Sequence, residues 1–267
     1  MRIPGILSAT LVATVAWAAD PATPVVVSAA NPNIGVAPDS LATVYGDRLA
    51  TLTESAQNLP WPTRLGDISV VWVTDSNSKA QMASLLYVSP GQINIWIPPG
   101  TAPGPATVSF PFTGLPPGAE AAALRLVPVN IQKVAPALFS ADGNGKGVAA
   151  ASAIREVIPT RIQSPVSVFH CDAPATCAAV PIDVGLDAPV YLSLYGTGIR
   201  GASSLDNVVV TIGSTKTQPT YAGPQMQVPG LDQVNVPLVL SLRGSGLVDV
   251  TVTVDGVTSN PVRLAIQ

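Results

Sequence analysis

The chain has 267 residues, of which 11% are charged, and a net charge of -3. So weak a charge excludes the basic stripe with which nucleic-acid binders neutralise phosphates. The 27 prolines and 22 glycines lie among β-branched runs, and glutamate occurs only at Glu54, Glu120 and Glu156. That composition disfavours long helices and predicts many short strands joined by turns, an all-β chain.

The N-terminus reads as a secretory signal. Arg2 forms a short positive region, "IPGILSATLVATVAWA" is apolar, and Ala16-Trp17-Ala18 fits a small-x-small cleavage site. Residues 1–18 are therefore expected to be a signal peptide. No later apolar run is long enough to span a bilayer as a helix. Export to the cell surface or beyond is the expectation.

Along the rest of the chain apolar residues alternate with polar ones, the period of a half-buried strand. In "ISVVWV", Ile68, Val70 and Trp72 are expected on one face. In "INIWI", Ile93, Ile95 and Ile97 share a face, with Asn94 and Trp96 opposite. "VYLSLYG" groups Val190, Leu192 and Leu194, and "VDVTVTV" groups Val248, Val250, Val252 and Val254. Asp255-Gly256 then supplies the pair that a type I′ hairpin turn needs.

The pattern repeats at long period. "SLATVYGDRLA" matches "VYLSLYGTGIR", and "LGDISVVWV" matches "LDNVVVTIG". "LLYVSPGQINIWIPPG" matches "PTYAGPQMQVPGLDQVNVPLVL", and "GPATVSF" matches "GLVDVTVTV". The order is the same in both halves. Two tandem Ig-like β-sandwiches are expected, over 19–133 and 134–267. Residues 136–187 match no strand and are read as a connector plus a hairpin.

In each half a tyrosine-bearing strand (Tyr87, Tyr221) meets a Pro/Gly turn, and the next strand opens with Gln-aliphatic-Asn. Gln92 and Asn94, like Gln233 and Asn235, point away from the aliphatic between them. Their amides are expected to bond backbone groups that the turn leaves unpaired. Cys171 and Cys177 lie close together in "HCDAPATC". In an exported chain they are expected to form a disulfide rather than a metal site.

Catalytic signals are sparse. "GTGIRG" (196–201) has dinucleotide-loop spacing, yet a strand pattern follows it instead of the helix that would bind a pyrophosphate. "DGNGKG" (142–147) opens like a calcium loop but carries Lys146 where an oxygen ligand belongs, so it reads as a polar turn. His170 is the only histidine, and no G-x-S-x-G elbow occurs. Neither a metal nor a cofactor is expected. Trp61 and Trp96 are the candidate ligand contacts, as rings on which a sugar would stack; Trp72 reads as core.

"PDSLATVYGDRLA", "LLYVSPGQINIWIP", "PALFS", "LYGTGI", "LDQVNVPL" and "VDVTVTVDGVTSNPVRLAI" together resemble the Solibacter-type uncharacterised C-terminal domain of exported acidobacterial proteins. Each half is similar to Ig-like TIG/IPT domains. The resemblance implies export and β-sandwich architecture, and it transfers no catalytic residue. The expected role is a non-enzymatic adhesion, protein-binding or structural module. Its partner would be an unknown protein or polysaccharide at the cell surface; the alternative is a carbohydrate-binding module.

Overall fold

In the computed structural model, residues 23–111, 124–185 and 188–267 are described. The expected signal peptide, 1–18, lies outside the described residues. The first part of the chain forms β1 (Val25–Ser28), β2 (Leu41–Tyr45), β3 (Glu54–Ser55), β4 (Trp72–Thr74) and β5 (Ala80–Met82). It continues with β6 (Ser84–Ser89), β7 (Gln92–Trp96), β8 (Gly104–Pro111) and β9 (Leu124–Ile131). The second part begins with β10 (Ala137–Leu138), β11 (Ala151–Val157), β12 (Ile162–Val166), β13 (Phe169–Ala173), β14 (Thr176–Ala179) and β15 (Val190–Thr197). Then follow β16 (Val208–Ile212), β17 (Thr215–Thr217), β18 (Tyr221–Pro224) and β19 (Asp232–Leu238). Last come β20 (Gly246–Val254), β21 (Val257–Thr258) and β22 (Val262–Ile266). The protein is all-β, built of antiparallel sheets.

The sheets repeat the same core order, with β11, β15, β19 and β18 in the places of β1, β2, β7 and β6, while β3 and β12 have no counterpart. One first-half sheet runs β1-β2-β7-β6-β3, and its counterpart runs β12-β11-β15-β19-β18. The other runs β5-β4-β8-β9, and its counterpart is β17-β16-β20, flanked by β21 and β22. Alternation explains why each sheet is apolar on one side. Ile93, Ile95 and Ile97 are fully buried, as are Val190, Leu192, Val250, Val252 and Val254. A buried aliphatic side chain contributes roughly 1.5–3 kcal/mol. The buried residues form one cluster from Val26 to Ile131 and another from Val134 to Ile266. Asp255 (φ 47) and Gly256 (φ 85) join β20 to β21 in the expected two-residue turn.

Two expectations need correction. Ile68 is buried, but Val71 and Val73 are the next inward residues, while Val70 and Trp72 are half-buried. Ile68 exchanges backbone hydrogen bonds with Leu65 in a tight turn, and the strand begins only at Trp72. The turn shifts the alternation by one residue. The stretch 136–187 is also more than a connector. Its β11 and β12 extend the second sheet, with β11 in the place that β1 holds in the first. Their alternation was faint because Ala151 and Ala153 fill the inward positions.

A third cluster joins the two parts. Ala30 and Leu41 meet Ala137 and Phe139, with Trp61, Leu86, Trp96 and Leu231 packed against them. Polar bonds cross the same seam. The Leu41 amide donates to Thr197 Oγ1 (2.8 Å), whose hydroxyl donates to the Gly230 carbonyl (2.7 Å). The "DGNGKG" turn is held there too, since Asn31 and Asn260 both donate to the Gly145 carbonyl at 2.9 Å.

Gly230 tests this seam. Its φ is +74, and an added Cβ would meet Leu41 and Trp96 side-chain carbons at 2.9–3.0 Å. Gly244 has φ +75 and nothing within 4 Å. Gly244→Ala should cost only the left-handed backbone term, about 1–2 kcal/mol. Gly230→Ala should cost clearly more in urea unfolding. Equal losses in the two variants would mean that the seam yields without resistance.

Candidate functional site

The outer faces of the two equivalent sheets carry the same side-chain ladder. In the first half Gln92 Nε2 donates to Asn94 Oδ1 (2.7 Å), and Thr43, directly opposite on β2, donates to the same oxygen (2.9 Å). In the second half Gln233 donates to Asn235 Oδ1 (2.7 Å), and Ser193, opposite on β15, donates to it at 2.8 Å. The two amides thus bond each other within the strand and a hydroxyl across it, not the turn's backbone as expected. Residues two apart lie on one face, so a strand opening with Gln-x-Asn can form the bond within itself.

The two ladders differ in exposure. In the first half Thr43 is 1% and Asn94 8% exposed, and burial pushes the Tyr45 phenol up. Beyond them Leu41 and Trp96 take Gly230 and Leu231 of the second half. In the second half Ser193, Gln233 and Asn235 are half-buried. Tyr191 and Pro237 occupy the positions of Leu41 and Trp96. Here the face is open.

A shallow depression of about 310 Å³ crosses this open face. Ser152, Glu156, Gln163, Tyr191, Ser193 and Asn235 line it, with Thr220 at one end. Tyr195 reaches the Ser152 hydroxyl at 3.0 Å. Glu156 accepts from Gln163 (3.0 Å) and Arg161 (2.7 Å), and these two partners hold its carboxyl below the usual range. The period-2 pattern already placed Tyr191, Ser193 and Tyr195 opposite the aliphatic face. Ser152, Glu156 and Gln163 were missed because β11 and β12 were not recognised.

The other singled-out residues have structural positions. Trp61 and Trp96 pack half-buried against the seam cluster, and Trp96 Nε1 donates to Asp39 (2.7 Å). Cys171 and Cys177 are opposed on β13 and β14 and form a disulfide. The Cys177 amide donates to Asp142 of the "DGNGKG" turn. His170 lies exposed on the same hairpin, 3.1 Å from Asp172. In "GTGIRG" the glycines admit backbone: a Cβ at Gly196 or Gly198 would meet the Ala137 or Ala135 carbonyl at 2.6 or 2.2 Å. Among the described residues no three of His, Cys, Asp and Glu gather to hold a metal. Among them, too, no helix is long and apolar enough to cross a membrane.

Between the two halves lies a buried ion-pair cluster. Arg200 pairs with Asp39 (2.8 Å) and with fully buried Asp232 (2.6 Å). Asp232 also accepts the Ile199 and Arg200 amides at 2.7 and 3.2 Å. Burial pushes its carboxyl up to about 6, against the pull of Arg200 and those amides.

No protein-family model matches the chain, and no curated protein matches it either.

Two outcomes are expected. Asn94→Ala removes a buried acceptor shared by Thr43 and Gln92 and should cost about 1–3 kcal/mol. Asn235→Ala should cost less, since water can replace the amide on the open side. Urea unfolding checks the order of the two. Asp232 has a raised folded-state pKa, so its contribution is most favourable below the unfolded value of 3.8 and declines as pH rises through about 6. From about pH 4 to pH 7, wild type should lose roughly 2–3 kcal/mol against Asp232→Asn. A difference that instead grows in favour of wild type would show that Arg200 outweighs burial.

Proposed function

We propose that the protein is an exported, non-catalytic binding module of two Ig-like β-sandwiches that works at the cell surface. The open, hydrogen-bonding face of the β12-β11-β15-β19-β18 sheet is the single observation that carries the reading. The first half seals the equivalent face inside the seam, so the second half is the binding unit and the first its support. Two separate buried clusters with the same strand order support the tandem arrangement. The disulfide fits an oxidising compartment, and residues 1–18 supply the export signal. The motifs that resemble the Solibacter-type domain support the same placement. His170 faces Asp172 on an exposed hairpin, away from the depression; the open face offers recognition groups without a base and nucleophile in contact.

The purified exported chain should begin after Ala18 and should sediment with isolated cell envelopes of the source organism. Tyr191→Ala and Gln163→Ala should release it from them. Envelope binding that survives both changes, or a secreted chain that begins at Met1, would overturn the reading.

A further inference from the structure

We infer that the open face binds a neutral polysaccharide, lying across the strands from β12 to β18. The inference rests on the reading of the protein as a non-catalytic binding module and names its ligand class.

The shape comes first. The depression runs over the four strands β12, β11, β15 and β19, from Gln163 to Thr220, the residue before β18 whose amide donates to the Asn235 carbonyl. Four inter-strand spacings of roughly 4.8 Å give it a length of about 19 Å. That suits an extended chain of several rings better than one small molecule.

The chemistry then narrows the class. The lining offers the hydroxyls of Ser152, Ser193 and Thr220 and the amides of Gln163 and Asn235. Each donates as well as accepts. Asn235 Oδ1 already takes two hydrogen bonds, while Nδ2 has no partner among the described residues. A donor is therefore held in place by its own neighbours and left free. The single carboxylate, Glu156, is matched by Arg161, so the surface has no charge to spend on an ionic ligand. Tyr191 lines the depression, and Tyr221, 37% exposed, pairs across the strands with Asn235, rings on which the apolar face of a sugar can lie. A ligand dense in hydroxyls, flat on one face and uncharged satisfies all of these.

A peptide fits less well. Peptides add to sheets through free main-chain groups at an edge, or through apolar pockets or charge clusters. The middle of this face has no free main-chain edge and no charge cluster, and its exposed apolar surface is Ile154 beside Tyr191. The larger groove near the seam, lined by Lys133, Ser203, Asn207 and Asp255, is no rival. No aromatic ring lines it, so it offers no face on which a sugar can lie.

Affinity electrophoresis of the full exported chain tests the inference, in gels carrying xylan, galactomannan or a soluble β-1,3-glucan, with cellulose depletion alongside. At least one of these neutral polymers should retard or deplete the wild type. Tyr191→Ala and Asn235→Asp should each weaken that binding by about fivefold or more. Asn235→Asp keeps the acceptor of the ladder but turns the free donor into a second, negatively charged acceptor oxygen, and its melting temperature shows whether the fold is intact. Lys216→Ala, on β17 of the other sheet, should bind as wild type. Retardation that is unchanged in folded Asn235→Asp and Tyr191→Ala would overturn the site. Envelope binding that disappears on protease treatment of the envelopes, with no affinity for any neutral polymer, would overturn the ligand class and leave the binding-module reading standing. No affinity for envelopes or polymers would overturn both.

Discussion

Arg200 is the residue on which the arrangement of the two halves depends. Its guanidinium is almost wholly withdrawn from water and joins Asp39, from the segment before β2, to Asp232 at the start of β19. Asp39 in turn fixes the indole of Trp96. One cation thus ties the outer face of the first sheet to the loop that covers it. Such buried pairs add little net stability, because desolvation offsets attraction, but removing one partner strands the other. Their effect is on geometry. The seam accepts few other placements of Leu231 and Gly230 over Leu41, since any shift would leave Asp232 or Arg200 unpaired in an apolar setting.

That constraint explains why two sheets with the same ladder differ in exposure. Thr43-Asn94-Gln92 and Ser193-Asn235-Gln233 make the same three-group contact. In the first half it is a sealed polar network next to an apolar contact of Leu41 and Trp96. In the second half the tyrosine and proline at those two positions cannot rebuild the contact, and no acid stands where Asp39 does: Pro189 takes that place, by the match of the two segments. Among the described residues nothing comparable anchors a covering segment. The exposed ladder then keeps its spare donor and its hydroxyls available for another molecule.

Much of the fold was legible because two-residue alternation reports burial directly. The inward runs of β7, β15 and β20 and the Asp255-Gly256 turn were read correctly from it. It failed where the backbone turned within a run, at Leu65–Ile68, and where alanine filled the inward positions, in β11. A short side chain leaves no contrast for the pattern to detect. The long repeat was legible from motif order, yet its consequence was not, since sequence identity between two faces says nothing of which one is covered. Trp61 and Trp96 illustrate the point. Trp61 stood out from its place between Pro60 and Pro62, and Trp96 because its strand puts it opposite the isoleucine face. The seam that encloses them draws on Ala137, Phe139 and Leu231, all from the second half.

The exposed hairpin adds a last consequence of the same physics. Its two strands share little apolar surface with the second core: Phe169 packs against it, while His170 through Thr176 are exposed. A hairpin of that kind is marginal on its own in water. The disulfide closes it from within, and Asp142 ties it to the turn whose Gly145 carbonyl anchors the seam. The hairpin's order therefore follows from the seam's order. Cysteines here do not replace a core, as they do in small secreted domains, but fix one peripheral element to a fold whose cores are already complete.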